Sequence, residues 1–401
     1  MPHRRSRRRQ WLVAWAVAGV LAGTAVLYGL FLSAPSPEPE TGGLLSAVDV
    51  LSGEPAEGFA RAEAPRAFRF PEDHGPHPDY RTEWWYVTGH LDGPGEESFG
   101  FQVTFFRSAL SPDPPDEESE WSTRQVYLAH FAVTDVDGGR HRSFERMARG
   151  AVGMAGAQAE PFRVWVDHWT LESHGDDLFP LRVSAETEEV GLELLLRSGK
   201  PLVPQGEDGW SPKGPEPGNA SYYYSFTRLP AEGTVRFGDR RVEVTGEAWM
   251  DREWSTSALG DGQVGWDWFA LQLDDGRELM YFELRRRDGS PDPHDYGIVV
   301  EWDGATRTLS GEDVELTVLD RWRSPVDGTE YPSRWSLQVP SEGVDLELRP
   351  RVQDQEVLLT FRYWEGALDV HGRGPDGELS GRGYAELTGY AESAGRGGAQ
   401  P

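Results

Sequence analysis

The stretch Gly246-Glu247-Ala248-Trp249-Met250-Asp251 holds the side chain with the clearest chemical potential in the chain. Read as a strand, it sends Glu247, Trp249 and Asp251 to one face and Gly246, Ala248 and Met250 to the other. Asp251 then shares its face with an indole. A carboxyl held there, away from water, has its pKa raised and keeps a transferable proton near neutrality, as a general acid must. An ion pair with Arg252, or a cap on the end of a barrel, would use the same residue without any chemistry.

Other catalytic patterns are missing. The chain has no Gly-x-Ser-x-Gly, no His-Glu-x-x-His and no phosphate-cradling Gly-Lys-Ser/Thr loop. The run Asp73-His74-Gly75-Pro76-His77-Pro78-Asp79 contains metal-ligand types, as do His168, His174, Asp176 and Asp177. A metal centre needs three or four convergent groups held by supporting hydrogen bonds, and neither set announces that. No metal and no cofactor is expected.

The elements that must position Asp251 come in two copies. Glu83-Trp84-Trp85-Tyr86-Val87-Thr88-Gly89-His90-Leu91 returns in weaker form as Gly265-Trp266-Asp267-Trp268-Phe269-Ala270-Leu271-Gln272-Leu273. In each, large side chains stand two residues apart, a turn follows, and a second alternating run comes back, which is the pattern of a β-hairpin. The copies also close alike, because Gly381-Arg382-Gly383-Tyr384-Ala385-Glu386 repeats the form of 246–251. Aromatic runs precede both closing strands, Tyr222-Tyr223-Tyr224 and Phe361-Arg362-Tyr363-Trp364. Three matched elements in one order indicate a duplication. With 47 Gly and 29 Pro in 401 residues and no sustained helical periodicity after residue 40, the fold class is all-β.

The first 34 residues form a separate unit. Arg4, Arg5, Arg7, Arg8 and Arg9 precede an uncharged apolar stretch from Trp11 to Ala34, long enough to cross a bilayer core of ~30 Å. The arginines stay cytoplasmic, so everything downstream is expected outside the cytoplasm, anchored to the cytoplasmic membrane or secreted if the segment is cleaved. Setting those arginines aside moves the net charge from −28 to about −33, which makes nucleic acid an unsuitable partner. There is no cysteine, hence no disulfide and no thiolate chemistry. Residues 35–69 read as a disordered linker, 70–255 and 256–392 as two domains, and 393–401 as a tail. The polar stretches 111–120 and 205–219 read as surface loops able to rim a pocket.

The run from Asp73 to Leu91 resembles the opening motif of the AttH-like predicted secreted hydrolases, relatives of the carotenoid 1,2-hydratases. Trp249-Met250-Asp251-Arg252-Glu253-Trp254-Ser255 is similar to the family's central motif, and Tyr363-Trp364-Glu365-Gly366 with Gly383 to Tyr390 to its terminal ones. The resemblance covers about residues 70 to 392. It implies two tandem lipocalin-like β-barrels with aromatic-lined interiors suited to a hydrophobic small molecule such as a lipid, fatty acyl chain or isoprenoid.

In the hydratase branch a carboxylic acid protonates a terminal C=C and water captures the cation, and Asp251 stands where that acid would be. On this view Asp251, Tyr222, Tyr224 and Trp249 are the catalytic candidates, with Trp84, Tyr86, His90, Trp266 and Trp268 binding the ligand. Two functions follow. One is a membrane-anchored carrier of a hydrophobic molecule serving an ABC-type exporter, as the anchor favours; the other is a cofactor-independent hydratase or hydrolase.

Overall fold

The computed structural model describes residues 57–114, 119–257 and 259–391, together with the backbone of a short strand at Leu45–Ser46. The expected membrane segment and the tail lie outside the described residues, among which no helix is long and apolar enough to cross a membrane.

Eleven strands build most of the first sheet. They are β1 (Thr82–Asp92), β2 (Ser98–Ala109), β3 (Gln125–Asp135), β4 (Arg140–Arg149), β5 (Ala155–Gln158), β6 (Arg163–Val166), β7 (Trp169–Ser173), β8 (Leu181–Glu186), β9 (Val190–Leu196), β10 (Ala220–Phe237) and β11 (Arg240–Ser255). Their order is β4-β3-β2-β1-β11-β10-β9-β8-β7-β6-β5. The second sheet uses β12 (Gln263–Leu273), β13 (Glu278–Arg286), β14 (Tyr296–Val300), β15 (Thr306–Ser310), β16 (Glu315–Arg323), β17 (Glu330–Val339), β18 (Val344–Pro350), β19 (Phe361–Gly374) and β20 (Gly377–Thr388). Its order is β15-β14-β13-β12-β20-β19-β18-β17-β16. Each sheet is curled and nearly closed, a lipocalin-like barrel. In both, the opening strand lies between the second strand and the last.

Register makes the duplication exact to the residue. Tyr86 on β1 pairs with Asp251 on β11, and Trp268 on β12 pairs with Glu386 on β20. One strand further, Ser225 faces Asp251 and Glu365 faces Glu386. Trp84 and Trp266 lie two residues before Tyr86 and Trp268, so the matched tryptophans fall on matched strands.

The barrel interiors are filled by side chains. Trp85, Phe101, Phe131, Tyr224 and Trp254 pack inside the first, and Phe269, Trp335, Leu337 and Trp364 inside the second. This corrects the expectation of a ligand inside a barrel: the apolar alternation supplies core. A third apolar cluster lies between the barrels, where the outward residues Tyr86, Tyr223 and Trp249 meet Trp268, Phe282 and Tyr384. The strands at this contact are covered on both faces. β1 is therefore buried along nearly its whole length, whereas β4, with an outer face in water, alternates with exposed residues.

The end of the first barrel is plugged by chain expected to be loose. The sequence reads 35–69 as a disordered linker, yet within it Ala62 is fully buried and Phe68 packs on Tyr224 and Trp254. Arg66 lies 4.7 Å from the centre of the Tyr222 ring and donates to Asp73 at 2.8 Å. Apolar and cation–π contacts thus order the segment. Beyond Asp73, the His77 ring stacks on Trp254 at 3.8 Å and its backbone N–H donates to Glu83 at 3.0 Å. Arg107 and Arg252 also donate to Glu83, so Arg252 pairs with Glu83 and not with Asp251. Burial alone would raise the Glu83 carboxyl, but the two guanidiniums hold it well below the usual range. The Asp73-to-Asp79 run is thereby used as a plug.

Candidate active site between the barrels

The outer faces of the two barrels enclose a cavity of about 280 Å³. Its walls come from both copies of the repeat: Trp84 and Tyr86 on β1, Trp266 and Trp268 on β12, and Tyr223 and Tyr363 on the penultimate strands. Its solvent edge carries Leu110 and Met147, 68% and 58% exposed. Four carboxyl side chains line it: Asp251, Glu253, Glu365 and Glu386.

Asp251 is 4% exposed and holds three donors. Tyr223 Oη donates to Oδ2 at 2.6 Å, while Ser225 Oγ and Trp249 Nε1 donate to Oδ1 at 2.5 and 2.6 Å. Trp268, from the other barrel, donates to the Tyr223 hydroxyl at 3.2 Å. Burial pushes the Asp251 carboxyl up to about 7, against the opposing pull of the three hydrogen bonds. Glu386 is pushed up to about 8 by burial, with the Asp251 and Glu253 charges adding to it. Glu365, buried directly across from Glu386, is likewise held well above the usual carboxylate range by burial and by that neighbour's charge. Like carboxyls in one dry site cannot all ionise. The cavity therefore holds protons at neutral pH.

Among the described residues, three buried polar atoms on its wall have no partner, namely Gln102 Oε1, Ser255 Oγ and Thr82 Oγ1. Unpaired polar atoms cost free energy in a dry interior and mark places where water or a ligand oxygen would bind.

The structure sorts the residues singled out in the sequence. Trp84, Tyr86, Asp251, Trp266 and Trp268 line one cavity, and Trp249 supports Asp251 from beside it. Tyr222 and Tyr224 do not join them. Both point into the first barrel, where Tyr222 donates to Ala64 O at 3.0 Å and the Tyr224 hydroxyl meets His74 Nδ1 at 2.7 Å. The tyrosine at Asp251 is the middle one, Tyr223. His90 is buried in the contact between barrels, with Nε2 donating to Gly383 O at 2.8 Å, and it does not line the cavity. Tyr223, Glu365 and Lys213 were missed. Period two along β19 and β20 would have placed Glu365 and Glu386 on one face with Tyr363, a signal present in the sequence.

Tyr222 and Tyr224 do face the barrel interior, where the sequence places the ligand, but the cavity lies on the outer face with Tyr223. The β10–β11 register shifts between Phe226 and Leu229, so inward positions change from odd residues (Ala231, Val235) to even ones (Tyr222, Tyr224). The loop 205–219 reaches the cavity through Lys213, as a rim would.

Residues 61–390 match the model of the AttH-like family. A crystal structure of an AttH protein from Nitrosomonas europaea is 35% identical with a TM-score of 0.73, covering 83% of this chain and 100% of that one. Kievitone hydratase of Fusarium solani subsp. phaseoli is 22% identical over 229 residues, 53% of this chain and 61% of that protein, so the chain spans less than two thirds of this relative's length. The crystal structure of kievitone hydratase from Nectria haematococca shares the fold, with a TM-score of 0.63 at 14% identity over 84% of this chain and 97% of that one.

Proposed function

The chain belongs to the AttH-like family, and from that premise we propose that it is a cofactor-independent hydratase acting on a carbon–carbon double bond of a small apolar molecule. The observation that carries this reading is the Asp251 carboxyl, set in an apolar aromatic cavity with a pKa raised to about 7. A general acid works best when its pKa lies near the working pH. The similarity to kievitone hydratases supports the same reaction class.

The steps balance without a further reactant. The Asp251 proton forms a C–H bond at one alkene carbon, leaving a cation at the more substituted neighbour. The rings of Tyr223, Trp268 and Trp84 face this cation and steady it. Water held by the unpaired Gln102 Oε1 and Ser255 Oγ forms the C–O bond, and its proton returns to the Asp251 carboxylate. Asp251 thus acts first as acid and then as base.

The acids also bear on the carrier reading. Burying carboxyls costs stability, and a carrier of hydrophobic molecules gains nothing from them. Tethering through residues 11–34, a site outside the cytoplasm and service to an exporter are compatible additions to this reading and rest on the sequence.

Turnover of isoprenoid alkenes in isotope-labelled water tests the proposal. Wild type is expected to give a labelled alcohol, and Asp251→Asn to lose ~10²–10⁴-fold in rate while keeping its fold. An Asp251→Asn protein as active as wild type would sink it.

A further inference from the structure

Only two of the 39 basic residues are lysines, Lys200 and Lys213, and the structure treats them differently. Lys200 Nζ donates to Gly276 O at 2.6 Å, Glu278 Oε2 at 2.7 Å and Glu301 O at 2.8 Å, which uses all three of its N–H groups. It ties the first barrel to the second. Lys213 instead lines the cavity. Its backbone is pinned from both sides, N–H to Asn219 O at 2.8 Å and carbonyl from Gln263 Nε2 at 2.7 Å. Among the described residues its ammonium meets one carboxylate oxygen, Glu253 Oε1, at 3.3 Å, and that oxygen also accepts from Ser221. The remaining neighbours are aromatic: Nζ lies 4.1 Å from the centre of the Phe282 ring and 5.7 Å from that of Tyr223. Ring faces attract the charge but leave the N–H donors without a true acceptor. Lys213, 7% exposed and with one carboxylate contact for three N–H groups, therefore faces the same space as Asp251.

We propose that Lys213 recognises the substrate by donating to an uncharged carbonyl oxygen, as in a ketone or ester. This rests on the cavity being the substrate site, as argued above, and adds the substrate's class: an apolar alkene that also carries a carbonyl. Charge decides against a free carboxylate. Glu253 already balances the single ammonium, so a second anion would enter with no cation left to pair it. A carbonyl takes the hydrogen bond and adds no charge.

Binding separates the cases without any turnover. The full chain is titrated at neutral pH with an unsaturated fatty acid, its methyl ester, and the alkene lacking the head group. Wild type is expected to bind the ester about tenfold or more tighter than the alkene, and tighter than the acid. Lys213→Met, similar in length and uncharged, should bring the ester down to the affinity that the same variant shows for the alkene. Glu253→Gln, which frees the ammonium, should improve the acid most. A Lys213→Met protein that keeps the ester preference, a wild type that prefers the acid, or a Glu253→Gln protein with unchanged affinity for the acid each overturns the proposal. Should Lys213→Met fail to fold, Glu253→Gln alone decides. A wild type that prefers the ester yet hydrates no alkene rejects the hydratase reading and supports this one.

Discussion

Asp251 and Glu386 are one position in two copies of a repeat: each lies on the last strand of its barrel, each pairs across the ladder with an aromatic of the opening strand, and both line a single cavity. The packing that joins the barrels brings them there, by laying outer face on outer face. The charge of Asp251 then helps to keep Glu386 protonated.

The rate should carry the Asp251 pKa. As the acid form is the active one, kcat is expected to fall as pH rises through about 7. Tyr223→Phe removes a hydrogen bond that pulls this pKa down, so its falling limb should move to higher pH. A pH–rate profile for both proteins checks this, and a limb that stays in place would detach Asp251 from the rate.

Stability should decline on both sides of a middle range. Asp251 and Glu386 are raised in the fold, so the native state keeps protons that the unfolded chain releases. Their contribution is full below about pH 4 and is lost as pH rises through about 7 to 8. Glu83 and Asp73 are lowered, so theirs is present above about pH 4 and is lost as pH falls through their folded values. Melting temperature against pH is expected to be dome-shaped, and Glu386→Gln should flatten its alkaline side.

Arg252→Met should destabilise the protein by ~3–5 kcal/mol, because it removes one of the two guanidiniums that balance the fully buried Glu83 carboxylate. Denaturant unfolding measures this. Near-wild-type stability would show that Arg107 and His77 suffice to balance Glu83.

Gly100→Val should part the barrels and spare their cores. A Cβ at Gly100 would stand 2.8 Å from Ala367 Cβ and 3.1 Å from the Tyr384 hydroxyl, both on the second barrel. Loss of ligand binding with each barrel's near-ultraviolet aromatic signal retained is the expected outcome.

Much of this was readable in the residues, and the limits have physical causes. Alternation and the matched Trp84/Trp266 and Asp251/Glu386 positions point to two copies of one β unit, because period two and a repeated order are local signals. Which face of a strand meets the core is not local. Trp84 and Tyr86 read as interior because they are large, yet Trp85 and Val87 face inward, and only the second barrel covers the others. Tyr222 and Tyr224 face the barrel interior, and Tyr223 joins the site only because the cavity lies on the outer face, which tertiary packing alone decides.

A cavity that lies between the copies implies an order of events in the ancestry of the chain. A half-length ancestor with one barrel would have owned half a wall, and would have enclosed such a space only by pairing with itself about a two-fold axis, with identical acids on either side. Joining the halves in one gene released that constraint. Ser225 on one side and Glu365 on the other, Tyr86 and Trp268, are the points at which the two halves now differ, one acid held by three donors and the other facing a carboxyl.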